Sequence, residues 1–453
     1  MSATYIILIV IVGVALLLMM VLKFKLNAFL ALLITSIVVG VMAGMPLQKI
    51  SASIQEGMGS TLGFVATVVG LGAIFGQLLE SSGGAKSLAD YLLKKFGINK
   101  ASWALTLSGF IIGIPVFLDV GFIILIPIVY ALTRDTGRSV LYYAIPLLAG
   151  LAVTHTMVPP TPGPTAVSEI LGVELGWVIM MGLLVGIPTA LIAGPLFGRF
   201  IAGRIYVPAP PAIDDTSEKN DSDQQKVPSF GIIALIVMTP LALILMSTFI
   251  KLGADKGALG GSLLTDILIF IGHPFTALII ATLMSVLLCL RHNMPKQKIL
   301  ELSTKALGPA GIIILVTGAG GVLKQILVDS GIGKMLAESL AGSSMPVMVL
   351  AWIIAALVRI TQGSATVAMI TSAGIISPLL STLSYSQPQT ALIVIAIAAG
   401  ATILSHVNDS GFWIVSKYLG MNEKQTLQSW TVMETIIAVS GLAIALTLSL
   451  FFN

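Results

Sequence analysis

Apolar residues in this chain gather into long runs separated by short polar breaks. The runs fall at Tyr5–Val21, Ala28–Val41, Val178–Phe197, Ile232–Ile250, Leu264–Leu290 and Thr431–Phe452. Most approach or exceed the ~20 residues that carry a helix across a bilayer. In hydrocarbon every backbone N–H and C=O must be satisfied within the protein, so the pattern predicts an all-α polytopic membrane protein. The pattern also repeats. Gly70–Leu92 (GLGAIFGQLLESSGGAKSLADYL) matches Gly318–Leu340 (GAGGVLKQILVDSGIGKMLAESL) without a gap, with ten of 23 positions identical. Upstream, Met45-Pro46-Leu47-Gln48-Lys49-Ile50 matches Met294-Pro295-Lys296-Gln297-Lys298-Ile299. A duplicated apolar chain with interrupted helices in both halves is the pattern of a secondary transporter.

Loop charge gives the sidedness. Arg291–Lys305 and Ser81–Lys100 each hold four Lys or Arg against one acidic residue, and Arg199 and Arg204 border the longest polar stretch. Placing these on the cytoplasmic side puts Met45–Gln55, Leu252–Ser262, Asp329–Ser344 and both termini outside. The equivalent loops Ser81–Lys100 and Asp329–Ser344 then lie on opposite faces, so the repeats are inverted. The expected layout is a first repeat at 1–203, a cytoplasmic linker at 204–229 rich in Pro, Asp, Ser and Gln, and a second repeat at 230–453. Each repeat carries three helices, an amphipathic surface helix, a re-entrant hairpin, a broken helix and a final helix. The hairpins fall at about 101–133 and 345–380, the alternative for each being one long tilted pass, and the broken helices fall at about 139–171 and 389–419. That makes about ten spanning helices. Gly40–Gly44 and Gly182–Gly186 fit small-xxx-small packing.

Composition agrees. The chain is 56% hydrophobic and 10% charged, where soluble domains carry roughly 25% charged residues. The net charge of +4 sits in short loops, where it reports orientation and not nucleic acid. Cys289 is the sole cysteine, so neither an intrachain disulfide nor a cysteine metal cluster is expected. With no Walker A, Rossmann or HExxH pattern, no nucleotide, metal or other cofactor is expected. The first apolar run lacks a basic n-region and an Ala-x-Ala-like site, and is expected to be retained.

Four polar breaks stand inside apolar surroundings: Gly113–Asp119, Thr154–Pro164, Arg359–Thr366 and Ser405–Gly411. Pro115 removes a helical donor, and Pro159, Pro160, Pro162 and Pro164 forbid a continuous helix. Non-helical backbone at membrane depth is tolerated only inside protein or beside water, and inverted symmetry brings the four breaks together near the midplane. Half-helix N-termini there suit an anion, and nearby hydroxyl and amide groups suit a polyol. The residues thus predict a small hydroxylated carboxylate as substrate. Thr156, Thr161, Gln362, Ser364, Thr366 and Asn408 are candidates to meet its hydroxyls. The alternative for the Ser and Thr residues is to patch the broken backbone. Arg359 either grips the carboxylate with its fork or neutralises Asp119 or Asp409. Asp119, His155, His406 and Asp409 are candidates to couple transport to protons, and the two histidines alternatively hold freed backbone. Sodium coupling through exposed carbonyls is the nearest rival. A passive channel suits a sealed repeat less well, and an embedded enzyme finds no nucleophile constellation.

At these breaks, IPVFLDVGFIILIPI (114–128), THTMVPPTPGPTAV (154–167), QGSATVAMITSAGI (362–375) and SHVNDSGFWIVSKY (405–418) resemble the gluconate permease family of proton-coupled symporters. The resemblance covers the chain apart from the linker. It implies an inverted-repeat, hairpin-containing carrier of the ion-transporter group in the cell inner (plasma) membrane. Such carriers are often dimeric and work as elevators, which leaves a homodimer open for this chain; the first helices near Tyr5–Val21 and Ile232–Ile250 are the candidates for a stationary scaffold. The implied cargo is gluconate or a related sugar acid with protons, D-serine being the alternative carried by some members.

Overall fold

The computed structural model describes residues 3–209, 228–255, 262–332, 346–380, 383 and 385–452. Most of the expected linker and most of the second surface helix, expected after Asp329, lie outside these residues. Every regular element among the described residues is helical. The first half contains α1 (Ala3–Leu22), α2 (Ala28–Met42), α3 (Leu47–Ser81), α4 (Gly84–Phe96), α5 (Ala101–Ile112), α6 (Leu118–Thr136), α7 (Leu141–Met157), α8 (Pro162–Leu171) and α9 (Leu175–Ala202). The second contains α10 (Phe230–Asp255), α11 (Leu263–Ile271), α12 (Pro274–Arg291), α13 (Lys296–Asp329), α14 (Val347–Gln362), α15 (Ala365–Leu380), α16 (Gln387–Gly400), α17 (Ser410–Leu419) and α18 (Glu423–Ser449).

Among the described residues, seven segments are long and apolar enough to cross a membrane: α3, α7–α8, α9, α10, α12, α13 and α18. Adding α1, α2 and the pair α16–α17 gives the ten expected passes. The hairpins are α5–α6 and α14–α15. The 12 residues of α5 rise about 18 Å, short of the ~30 Å hydrocarbon core, so this arm enters and turns back.

The duplication is visible in the caps. Gly44 and Asn293 precede the two Met-Pro pairs, and both adopt left-handed backbone, at φ +74° and +58°. Glycine and asparagine are the residues that enter this region most readily. The following Met45 N–H then donates to Gly40 O at 3.0 Å, and Met294 N–H to Cys289 O at 3.0 Å. Pro46 and Pro295 cap the long helices α3 (35 residues) and α13 (34 residues) in the same way. Further on, α8 and α17 end at left-handed Gly172 and Gly420. Gly44 is therefore a turn residue and not a packing one, whereas Gly182 and Gly186 do seat α9 against Met157 and Val153 of α7.

Among the described residues, the repeat-equivalent helices α3 and α13 form the most extensive helix–helix interface. They cross where small residues let backbones meet. A Cβ on Gly57 would strike the Gly321 carbonyl, and one on Gly321 would strike Gly57 O and Thr61. Around this crossing the broken helices are enclosed. Fifteen of 17 residues in α7 and 11 of 14 in α16 are buried, as expected of helices apolar on every face. The first hairpin arm packs on the broken helix in each half, α5 on α7 and α14 on α16. The four breaks therefore lie inside protein, where freed backbone groups find partners.

The crossing predicts a contrast between two glycines. Gly321→Leu overpacks the interface at a cost of about 1–3 kcal/mol and lowers the unfolding midpoint in detergent. Gly59→Ala in α3, where nothing lies within 4 Å of an added Cβ, leaves the midpoint unchanged or raises it. Equal effects from the two would remove the crossing from this account.

Candidate substrate site

The first hairpin turns over Gly113–Phe117. Pro115 donates no hydrogen bond, Phe117 is extended (φ −60°, ψ 147°), and α6 begins at Leu118 with Asp119 in its first turn. Asp119 is exposed, and no cation lies within 4 Å of it among the described residues. The second hairpin turns over Gly363 and Ser364 alone. Gly363 sits at φ +84°, and a Cβ there would run into the carbonyl of Asn408, so only glycine fits. Its own carbonyl accepts from Arg359 Nη1.

The second broken helix unwinds earlier than its polar residues suggest. Helix α16 stops at Gly400, pressed against the Trp352 carbonyl of α14, and α17 starts at Ser410. The nine residues between them carry the densest polar network in the site. Asp409 caps α17 by accepting from Gly411 N–H at 3.0 Å through Oδ1. Its Oδ2 accepts from Arg359 Nη2 at 2.6 Å and from Ser405 Oγ at 2.5 Å. Ser405 Oγ in turn accepts from Trp430 Nε1 at 2.7 Å. The exposed Asn408 gives Nδ2 to the Ile360 carbonyl at 2.9 Å, and His406 Nε2 bonds the same oxygen at 2.9 Å. A helix end leaves carbonyls without partners, and these two side chains satisfy one of them.

These elements enclose a cavity of about 400 Å³, within the ~300–1,000 Å³ range of small-molecule sites. Asp119 comes from the first break, His155 and Thr156 from the second. Arg359, Gln362, Ser364 and Thr366 come from the third, Asn408 and Asp409 from the fourth. Nine of the eleven residues singled out in the sequence thus share one wall. Thr161 does not. Its hydroxyl donates to Val158 O at 2.7 Å, patching the proline break, and it lines a separate small pocket beside Pro115. His406 is also outside the wall, tied to Ile360. Thr156 lines the cavity while its hydroxyl donates to Ala152 O at 2.8 Å. Trp430 and Glu434 of α18 complete the lining and were absent from the sequence candidates. Glu434 is the only charged residue of Val432–Ser449. Like Asp119, it is an acid among apolar neighbours.

The N-termini of α6, α15 and α17 all reach the cavity, through Leu118 and Asp119, Ser364 to Thr366, and Asp409 to Gly411. Each brings a positive dipole end, although the Gly411 N–H of α17 is already taken by Asp409 and the Val367 N–H of α15 by Ser364 Oγ. The buried Arg359, 4% exposed, resolves the alternatives left by sequence by pairing with Asp409. Its Nε remains without a partner, as do His155 Nδ1 and Glu434 Oε1. The cavity thus offers donors and acceptors together.

The profile of the GntP family permeases matches residues 5–451. The chain belongs to the GntP permease family. Among its relatives is a low-affinity gluconate transporter of Escherichia coli (strain K12), 43% identical over 95% of each chain. A gluconate permease of Bacillus subtilis (strain 168) is 39% identical, covering 98% of this chain and 99% of the relative. The Gnt-II system L-idonate transporter of Escherichia coli (strain K12) is 36% identical over 95% of this chain and 96% of the relative. The fold is shared with a solved structure, the YdaH transporter of Alcanivorax borkumensis, described as having an unusual topology. Its TM-score is 0.65 at 15% identity, covering 94% of this chain and 98% of that one. The resemblance seen at four breaks therefore extends along the whole permease, a multi-pass transporter of the cell inner membrane.

The ion pair gives this permease a stability signature. Asp409→Ala strands a buried guanidinium and costs about 3–5 kcal/mol. Joint replacement, Arg359→Met with Asp409→Leu, recovers most of that stability without recovering transport. Thermal unfolding of the purified variants measures both; a double variant no more stable than Asp409→Ala contradicts the pairing.

Proposed function

We propose that this permease imports gluconate or a closely related sugar acid, coupled to protons, by elevator-type alternating access. The observation that carries this reading is the convergence of Arg359 and three helix N-termini on one cavity with the polar groups of Thr156, Gln362, Ser364, Thr366 and Asn408. The N–H ends of the helices receive the carboxylate, and the hydroxyl and amide side chains meet the polyol. The relatives named for gluconate and L-idonate support that substrate class.

A sugar acid brings a negative charge into a cavity that already holds Asp119 and Asp409. A proton entering with it offsets the repulsion. Asp409 and His406 are engaged with Arg359 and Ile360, whereas Asp119 and His155 face the cavity, where they can relay protons to and from it. Residues 1–203 and 230–453 act as the two repeats, joined by the linker at 204–229. The hairpins and broken helices form the travelling part. Helices α1 and α10 serve as scaffold in a homodimer; α10 leaves Leu235 and Met238 exposed on an apolar face.

Purified permease in liposomes, given labelled gluconate and an inward proton gradient, accumulates it above equilibrium. A protonophore abolishes the accumulation, and choline in place of Na⁺ leaves it intact. L-idonate competes more strongly than D-serine. Accumulation that follows Na⁺ and ignores the protonophore overturns the coupling, and stronger competition by D-serine overturns the substrate class.

A further inference from the structure

Glu434 stands in the cavity wall without a role in that reading. It lies on α18 one turn beyond Trp430, is 4% exposed, and its Oε1 has no hydrogen-bond partner. The charged and titratable groups that share its cavity are Arg359 on α14, Asp409 ahead of α17, His155 on α7 and Asp119 on α6. Helices α9 and α16 also pack on α18. Helix α16 has no charged residue, and the one in α9, Arg199, lies near its end.

Among the described residues, Glu434 has no cation of its own. The Arg359 terminal nitrogens are taken by Gly363 O and Asp409. A bare carboxylate inside protein at membrane depth is costly, whereas a carboxylic acid needs only one acceptor. A bound sugar acid supplies that acceptor from a hydroxyl or its carboxylate. Conversely, an anion beside an ionised Glu434 meets like charge at low dielectric. The proton and the anion therefore favour each other's presence. Asp409 is held by Arg359, Ser405 and Gly411, and Asp119 is exposed, so neither is left bare in this way.

We propose that Glu434 carries the coupling proton. It takes one proton from water on the side of uptake and donates an O–H hydrogen bond to the bound anion. Once the anion has left, it releases the proton to water on the other side. No bond of the substrate changes, and one proton travels with one anion. This rests on the proton-coupled reading above.

The test is Glu434→Gln in liposomes, read by gluconate counterflow and by proton-driven accumulation in parallel. The amide imitates the protonated acid, so counterflow slows but persists, while the internal concentration no longer exceeds the external one. Glu434→Asp keeps a titratable carboxyl and accumulates, with the pH midpoint of uptake displaced from wild type. Accumulation by Glu434→Gln at the wild-type level overturns the assignment, as does uncoupling by Asp119→Asn alone. If Glu434→Gln loses both activities, the Asp variant decides: an undisplaced midpoint, or loss of both activities there too, makes Glu434 structural. Wild-type counterflow without proton-driven accumulation overturns the coupling reading instead, and is distinguished by using no variant at all.

Discussion

The ion pair between Arg359 and Asp409 is the interaction on which the site depends. A helix interrupted inside a membrane exposes carbonyls at one end and N–H groups at the other. Here a single pair binds both kinds of end. Arg359 reaches the Gly363 carbonyl at the hairpin turn, and Asp409 caps α17 through Gly411. Buried ion pairs often add little net stability compared with apolar packing. Their value here is geometric, because the pair fixes where the second hairpin and second broken helix present their polar groups.

Duplication built this site, yet the two halves contribute unequally. Both use left-handed caps and enclosed broken helices at matching positions. The gap in the first broken helix spans only Val158–Thr161 and is closed by prolines and by the Thr161 hydroxyl. The second spans nine residues and holds its shape through side chains, with Ser405, Asp409, Trp430 and Arg359 in one chain of hydrogen bonds. The second half supplies the cavity's ion pair. The first supplies an unpaired acid, an imidazole and a hydroxyl.

Much of the fold was legible in the sequence because breaks in membrane helices need residues that announce themselves. Proline, glycine and clustered polar groups marked all four breaks, and the Met-Pro repeat marked the starts of α3 and α13. The end of α16 was not legible, since Ala401-Thr402-Ile403-Leu404 reads as helix, yet the chain leaves helix after Gly400 and Leu404 takes left-handed backbone at φ +47°. Thr161 and His406 shared the polar character of their neighbours but serve freed backbone, a distinction set by geometry alone. Glu434 was hidden by its surroundings, because an apolar run reads as a lipid-facing span until its inner face is known.

The close seating of Gly363 on Asn408 has a mechanical meaning. With no side chain between them, and with His406, Asn408 and Asp409 all fastened to the last turn of α14, the hairpin turn and the unwound segment are one part. Helix α6 is attached differently. Tyr130 is fastened to the Tyr418 carbonyl of α17, while Asp119, eleven residues nearer the start of the helix, is not fastened to that part. The Phe122 ring also meets the Tyr418 ring edge-on, so α6 is tied to α17 along its middle turns while Asp119 stays at the cavity.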